Sequence, residues 1–325
     1  MKLINLILPF WYPLLKLNGN EKFPTKVTLF NDPFVIYKNN ENDFVIHSDI
    51  CPHQGASLSK GWITDDKCIS CPYHGFQFYN GTFCKIPDPA DKNVNSFNSK
   101  HTLNRLESYN DNHFLFISNV NYSIPEVYYP PEEFNSSFRG VEGVKLINTN
   151  YLSVCENLLD MLHISYVHSF GSRSTPLPKS IKFELLNDYH GRSTFFYSPN
   201  ENTISGYVGQ VSQVKVENEF ILPTTTLTRV YAGNTVKTVF TRSIPVSENK
   251  TILYWKIYRN FWINPLGDHM IRKLMIKTLD EDINILKEVY PEHRKGPIVT
   301  KYDKTILEFR KAHEKYLNNN NIRLD

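Results

Sequence analysis

Cys51-Pro52-His53-Gln54-Gly55 and Cys71-Pro72-Tyr73-His74-Gly75 are the two stretches that decide the fold of the first part of this chain. Each places one thiol beside one imidazole, and seventeen residues separate His53 from Cys71. Two Cys and two His suit a two-iron, two-sulfur cluster in which thiolates hold one iron and imidazoles hold the other. We therefore expect four ligands of one cluster, on loops between strands: Cys51, His53, Cys71 and His74.

Zinc is the main alternative for this ligand set, because two Cys and two His also bind a structural zinc ion. A zinc finger usually pairs Cys with Cys and His with His, whereas each stretch here carries one of each. Cys68 and Cys71 form a Cys-x-x-Cys pair without a matching second pair, so we interpret Cys68 as a bystander. Cys84 and Cys155 also remain outside the ligand set.

A second constellation lies downstream and comprises Asn157, Asp160, His163 and His168. Two histidines suit a mononuclear Fe(II) of the type held by two His and one carboxylate. The alternative is an amphipathic helix, predicted over residues 151–167, that carries two incidental histidines. The cluster motif upstream favours the iron site.

The spacing of the two histidines limits how they could share one iron. On an ideal helix Asp160 and His163 share a face, but His163 and His168 point about 140° apart. The helix must therefore end, widen or contain a π-bulge between the histidines. Ser169-Phe170-Gly171 is compatible with an end at this point.

Composition excludes several classes of protein. The 325 residues suggest about two domains. The net charge is only +3, and the sequence has no run of Lys and Arg long enough to indicate nucleic-acid binding. An odd number of cysteines, five, fits a reducing compartment, so we expect a soluble cytoplasmic protein. The apolar segment 1–15 is interrupted by Pro9 and Pro13 and is too short to span a bilayer. It is predicted to be a packed arm or strand, and a peripheral membrane contact through it stays open.

Strand and helix signals divide the chain. Residues 25–120 contain short apolar, β-branched runs separated by turn clusters, which predicts a small β-sandwich. A Pro-rich linker is predicted over residues 121–135, and strand character returns over residues 180–258. Apolar residues at helical spacing predict a helix over residues 266–289, and a last helix is predicted over residues 301–317.

With these motifs the chain resembles the Rieske non-haem iron oxygenases, in particular their catalytic α-type subunits. High-potential Rieske proteins carry an extra Cys in each ligand stretch, and the matching positions here are Ala56 and Tyr73, which implies a lower potential. Gln54 stands where Arg is usual and Phe76 where Trp is usual. The resemblance implies an α+β fold: a Rieske β-sandwich over residues 1–120 and a helix-grip-like catalytic domain over residues 121–325, with an antiparallel sheet and helices.

The resemblance also implies roles for particular residues. The third ligand of the mononuclear iron would be Asp282, with Asp280 as the alternative. Asp160, grouped with Asn157 as catalytic, would bridge His163 to His74 of a neighbouring subunit and pass electrons between the two iron sites. A homotrimer follows, because the resemblance implies that the two sites of one subunit lie too far apart for electron transfer.

The implied activity is oxygenation of an organic substrate with O₂ and electrons. The sequence has no G-x-G-x-x-G loop and no plant-type ferredoxin cysteine set, so a separate ferredoxin or NAD(P)H reductase must supply the electrons. Trp11-Tyr12-Pro13 and the single-chain length resemble the monooxygenase and demethylase branch, including the pheophorbide a oxygenase-like group, more than the aromatic-ring dioxygenases. An aromatic or polycyclic substrate is expected. The rival interpretations are a Rieske electron carrier, which needs only the first domain, and a catalytically inactive scaffold subunit.

Overall fold

The structure is a computed structural model, and it describes residues 10–85, 102–103, 105–118, 126–171, 177–178, 180–197, 213–290, 293–294 and 296–319. Its contacts divide the chain into two compact units, Met1–Glu126 and Val127–Asp325. The predicted domain boundary at residue 120, most of segment 1–15 and the end of the C-terminal tail lie outside the described residues.

The first unit consists of three small antiparallel sheets, with strand orders β1-β10-β9, β2-β3-β4 and β5-β6-β7-β8. The small β domain predicted for this part of the chain is confirmed, and segment 1–15 contributes most of β1 to it. The four strands around the second ligand stretch, β5 to β8, were not predicted, because each is only two to four residues long. The strands are β1 (Tyr12–Lys16), β2 (Thr25–Leu29), β3 (Asp32–Lys38), β4 (Phe44–Ser48), β5 (Trp62–Ile63), β6 (Ile69–Ser70), β7 (Gln77–Tyr79), β8 (Thr82–Lys85), β9 (Glu107–Asn110) and β10 (Phe114–Ser118).

The second unit is built on a seven-stranded antiparallel sheet with the order β11-β17-β16-β15-β14-β13-β12. β11 was not predicted, because its glycines weaken the strand pattern. The register explains one of them: Gly143 lies opposite Trp255, and a Cβ at Gly143 would come within 2.4 Å of the indole ring. The strands are β11 (Arg139–Ile147), β12 (Ser180–Asn187), β13 (His190–Tyr197), β14 (Val214–Ile221), β15 (Thr225–Ala232), β16 (Thr235–Ser247) and β17 (Lys250–Arg259).

Four α-helices complete the described part of this unit: α1 (Tyr151–Leu159), α2 (His163–Val167), α3 (Pro265–Leu286) and α4 (Lys304–Asn319). Asn150 caps α1, because its side chain accepts a hydrogen bond from the N–H of Ser153 at 2.8 Å. Asn264 caps α3 in the same way, and Pro265 occupies the first turn, where its missing N–H costs nothing. No helix among the described residues is both long and apolar enough to span a bilayer.

Helix α3 packs its apolar stripe against β11 and β17. The stripe of Ile271, Met275, Leu279 and Ile283 forms one buried cluster with strand residues such as Trp255. The predicted helix over residues 266–289 is thus confirmed, although it ends at Leu286. Leu274, another apolar residue of this helix, lies outside the stripe and is 41% exposed.

The predicted continuous helix over residues 151–167 is wrong. α1 stops at Leu159, Asp160 adopts an extended backbone (φ −75°, ψ 128°), and α2 begins at His163. The Asp160 side chain accepts a hydrogen bond from the N–H of Leu162 at 2.7 Å, so it competes with the backbone for the bond that would continue the helix. Asp160 and His163 therefore do not share the face of a regular helix.

Candidate iron centres

The two ligand stretches of the first unit fold into loops with the same hydrogen bonds. In the first loop the N–H of Gly55 donates to the carbonyl of Cys51 (2.9 Å), and the N–H of Cys51 donates to the carbonyl of Ala56 (2.8 Å). The second loop repeats this pattern: the N–H of Gly75 donates to the carbonyl of Cys71 at 3.0 Å, and the N–H of Cys71 donates to the carbonyl of Phe76 at 2.8 Å. Both glycines have a positive φ, +76° for Gly55 and +70° for Gly75, which other residues rarely adopt.

These loops bring the four predicted cluster ligands together as two pairs. The Nδ1 atoms of His53 and His74 face each other at 3.2 Å, while Cys51 and Cys71 are both 1% exposed in the hydrophobic core. Burial, followed by the hydrogen bond with Cys71, raises the pKa of the Cys51 thiol to about 11. Two buried thiols behind two outward imidazoles fit a cluster whose inner iron takes thiolates, which the metal would hold deprotonated.

Aromatic side chains surround the two histidines. The ring of Phe76 stacks on His53 with centroids 4.4 Å apart, and Tyr73 lies against His74 at 3.8 Å. The residue at the usual Trp position thus still covers a ligand here. Cys68 contacts Cys84, with the two sulfurs 3.0 Å apart.

The second unit brings His163, His168 and Asp282 together. The Nε2 atoms of the two histidines lie 3.2 Å apart, and Asp282 Oδ1 lies 3.3 Å from His163 Nε2 and 3.5 Å from His168 Nε2. All three side chains are largely shielded, with exposed fractions of 13% for His163, 4% for His168 and 7% for Asp282. Among the described residues this is the group of three whose donor atoms could hold a metal ion.

The three donor atoms fit one face of a metal's coordination shell. With metal–ligand bonds of about 2.1 Å, adjacent ligands of an octahedral ion lie about 3.0 Å apart, close to the three edges seen here. Asp282 Oδ1 is buried and has no hydrogen-bond partner in the described part of the chain, which a cation would satisfy. The donor set of two imidazoles and one carboxylate is that of a non-haem Fe(II) site.

Burial and the neighbouring carboxylates have opposite effects on the pKa values of the two histidines. Burial would lower the pKa of His163, but the adjacent Asp282 carboxylate outweighs it and raises that pKa. Burial lowers the pKa of His168, and the neighbouring carboxylates do not fully offset it. Of the two imidazoles, His163 therefore accepts an additional proton more readily than His168.

The backbone between His163 and His168 explains how the Nε2 atoms of both side chains come close together. α2 ends at Val167, and His168 follows in an extended conformation with φ −81° and ψ 139°. Of the three predicted possibilities between His163 and His168, an end, a widening or a π-bulge, the structure shows the end of the helix. Asp282 comes from the buried face of α3, far along the chain.

Asp280 does not join this group. It is 52% exposed on the outside of α3 and forms a salt bridge with Lys145 at 2.7 Å. The structure thus places Asp282, and not Asp280, beside the two histidines.

Asp160 lies at the outer side of His163. Its Oδ2 is 3.9 Å from His163 Nδ1, which is longer than a hydrogen bond, and its side chain is 31% exposed. His163 Nδ1 is buried without a hydrogen-bond partner in the described residues. Asn157 lies one turn earlier on α1, where its carbonyl accepts from the N–H of Asp160 at 3.1 Å.

Glu281 is a site residue that the sequence analysis missed. Its Oε2 lies 3.1 Å from His168 Nδ1, and both carboxylate oxygens lie 3.4 Å from the N–H of Ser169. A carboxylate in this position accepts the outer N–H of the imidazole and fixes its orientation. The only available signal was its place next to Asp282 within an acidic triplet.

Two family models match the chain. The Rieske [2Fe-2S] domain matches residues 11–98, and the vanillate O-demethylase oxygenase C-terminal domain matches residues 147–319.

Proteins with related sequences agree with these matches. The chain is 24% identical to the chloroplastic protochlorophyllide-dependent translocon component 52 of Arabidopsis thaliana, over 94% of this chain and 65% of that protein. It is 23% identical to methylxanthine N3-demethylase NdmB of Pseudomonas putida, over 94% and 88%. The chain spans less than two thirds of the length of the chloroplast relatives that it matches.

The fold is shared with solved structures of low sequence identity. Pseudomonas putida CBB5 NdmA with caffeine superimposes with a TM-score of 0.80 at 19% identity, covering 98% of this chain and 94% of that one. Dicamba monooxygenase bound to dicamba gives a TM-score of 0.76 at 18% identity, covering 96% and 98%.

Proposed function

The chain belongs to the Rieske oxygenases with a vanillate O-demethylase-type C-terminal domain, and from this premise we propose that it uses O₂ and electrons from a separate donor to hydroxylate or demethylate an organic substrate. One observation carries the proposal: His163 Nε2, His168 Nε2 and Asp282 Oδ1 converge within 3.5 Å of one another. An electron carrier would need no such group, so the geometry favours an enzyme over the carrier and scaffold alternatives.

We assign the ligands as follows. Cys51, Cys71, His53 and His74 would hold the [2Fe–2S] cluster, and His163, His168 and Asp282 would hold the mononuclear iron. When bound, the cluster supplies single electrons, and the mononuclear iron supplies O₂ activation at coordination positions that the protein leaves open.

Asp160 is proposed as the link between the two kinds of site. Its half-buried carboxylate, 3.9 Å away, needs only a small movement to accept the N–H of His163 Nδ1, which otherwise has no partner in the described residues. The second oxygen could accept an imidazole N–H of His74 of the partner subunit across a homotrimer contact. Asn157, one turn before Asp160, is proposed to support this arrangement from α1.

Apolar residues adjoin the proposed iron site. Met161 and Ile164 lie within two residues of His163 in the sequence and pack against Phe195 and Val216 on the sheet. An aromatic or polycyclic substrate is proposed by analogy with relatives that are named for methylxanthines, dicamba and pheophorbide a. Because two of these relatives are demethylases, monooxygenation is favoured over dioxygenation.

The electron donor is proposed to be a ferredoxin or an NAD(P)H reductase, since the sequence lacks a dinucleotide loop. A cytoplasmic location stays a prediction from cysteine usage, and several relatives are named as chloroplastic.

Metal analysis is the first test. We expect about three irons and two acid-labile sulfides per chain in protein produced anaerobically with ample iron. Two irons would leave only the electron carrier, and zinc would refute both iron sites.

Turnover is the second test. The chain would be incubated with a surrogate reductase, a library of aromatic compounds and ¹⁸O₂, and products would be identified by mass spectrometry. One ¹⁸O atom per turnover is expected, kept in a hydroxylated product or released with the formaldehyde of a demethylation, and two ¹⁸O atoms in one product would indicate a cis-diol. The matched control is Asp280→Ala, which removes a neighbouring acid of α3 and should leave product formation intact.

A further inference from the structure

Cys68 and Cys84 form a thiol pair outside both proposed iron sites. Their sulfur atoms lie 3.0 Å apart, although both cysteines are free. Cys68 directly precedes β6, and Cys84 lies within β8, two places away in the same four-stranded sheet. The contact therefore crosses over β7 and joins segments that do not share backbone hydrogen bonds.

The surroundings of the two sulfurs differ. Cys68 is 6% exposed, and a turn holds its backbone: Thr64 N–H donates to the Cys68 carbonyl at 2.9 Å, and Cys68 N–H donates to Thr64 Oγ1 at 3.1 Å. Cys84 is exposed on the strand. One thiol is thus reachable from solution, and the other is fixed directly behind it.

The distance is short enough for a covalent bond. A disulfide needs sulfurs about 2.05 Å apart, so the sulfurs of this pair, which lie 3.0 Å apart, must approach by about 1 Å. We propose that Cys68 and Cys84 form a reversible disulfide by exchange with an external disulfide, such as oxidised glutathione or a thioredoxin-type protein.

The exchange balances in two steps. The Cys84 thiolate attacks the external disulfide, forms a mixed disulfide and releases the first thiol. The Cys68 thiolate then attacks the Cys84 sulfur, which forms the Cys68–Cys84 bond and releases the second thiol. Two protein thiols are oxidised, one external disulfide is reduced, and the two protons lost by the cysteines are taken up by the released thiolates.

Partial desolvation of the Cys84 sulfur and the adjacent Cys68 raise the pKa of the Cys84 thiol to about 12, so little of it is thiolate at neutral pH. The exchange is therefore slow, on the order of minutes to hours without a catalyst, and the bond responds to sustained oxidation rather than to brief pulses.

The position of the bond gives it a structural effect. The loop that it closes, residues 68–84, contains the proposed cluster ligands Cys71 and His74. A bond across its ends limits how far this loop can open, and opening is required for the cluster to be lost. This bond differs from the disulfide over the cluster in high-potential Rieske proteins, because the matching positions here are Ala56 and Tyr73.

The test compares anaerobic holoprotein treated with oxidised or reduced glutathione, then denatured in acid, stripped of iron and alkylated. We expect five alkylated cysteines after reduction and three after oxidation, with a Cys68–Cys84 cross-linked peptide two hydrogens lighter than the free pair. Cys155→Ser should keep the cross-link, whereas Cys68→Ser and Cys84→Ser should each lose it. Five alkylated cysteines after oxidation, or a glutathione adduct that stops at Cys84, would overturn the proposal.

The effect on the cluster is read from the visible absorption during incubation with an iron chelator. Wild-type protein treated with oxidised glutathione should lose its visible absorption several-fold more slowly than wild-type protein treated with reduced glutathione. The Cys84→Ser variant should lose it at the same rate after either treatment. Equal rates for oxidised and reduced wild-type protein would refute the protective effect. Neither readout depends on turnover, so failure here is distinguishable from failure of the proposed enzyme activity.

Discussion

Replacement of Glu281 tests whether the geometry around His168 sets the affinity for iron. Glu281 Oε2 lies 3.1 Å from His168 Nδ1, and the side chain is only 21% exposed. It therefore fixes the ring so that Nε2 points towards Asp282 and His163. Loss of such a supporting carboxylate typically costs 10- to 100-fold in metal affinity, or about 1.4 to 2.7 kcal/mol of binding free energy.

The two ends of this range correspond to two variants. Glu281→Gln keeps an oxygen that can accept the Nδ1–H bond but loses the charge, so we expect a loss of about tenfold. Glu281→Ala removes the acceptor as well and leaves the buried N–H unpaired, so we expect about 100-fold.

Fe(II) affinity would be measured by competition with a chelator, on protein whose mononuclear site has been emptied while the cluster absorption remains. Asp280→Asn is the matched control: the same helix loses an adjacent acid whose salt bridge with Lys145 lies on the surface, and iron affinity should not change. If Glu281→Ala bound Fe(II) as tightly as the wild type, the orienting role of Glu281 would be wrong.

Three further outcomes are expected. His163→Ala or His168→Ala should lose the mononuclear iron and all product formation but keep the cluster absorption, because the two ligand sets lie in separate units; bleaching of the cluster in either variant would contradict that separation. Asp160→Asn should keep three irons, and the cluster should still be reduced by dithionite, but turnover should fall by orders of magnitude; near-normal product formation would mean that Asp160 is only a helix-terminating acid. In the iron-free site the pKa of His163 is raised, so Fe(II) must displace its proton, and affinity should increase as pH rises through that pKa and level off above it; a flat profile by chelator competition would contradict a proton on His163.

The cluster ligands could be found from sequence because their chemistry is local. Each ligand stretch contains its own thiol, imidazole and turn glycine, and the backbone of Gly55 and Gly75 closes both loops in the same way. Neither loop needs information from a distant strand to acquire its shape. The motif therefore specifies both the ligands and the local fold.

The surroundings of the second site depend on contacts that sequence patterns do not contain. The break after Leu159 arises because Asp160 accepts the N–H of Leu162, a choice that helix periodicity cannot show. β11 was missed because Gly143 weakens a strand unless the opposing residue is known to be Trp255. Asp280, Glu281 and Asp282 are consecutive acids, and the rotation of α3 against β11 decides which role each one has. It places Asp282 beside the two histidines, Asp280 in the salt bridge with Lys145, and Glu281 against His168.

That rotation is itself fixed at a distance from the iron site. Asp268 in the first turn of α3 binds the guanidinium groups of Arg139 on β11 and Arg259 on β17, at 2.7 and 2.6 Å. The apolar stripe from Ile271 to Ile283 then holds the helix against the same two strands along its length. Because an α-helix turns by about 100° per residue, a rotation of one position would exchange Asp282 for a neighbouring residue at the histidines. The third donor of the proposed iron site is thus positioned by the packing of the whole helix, while the two histidines are positioned by a five-residue helix and the break on either side of it.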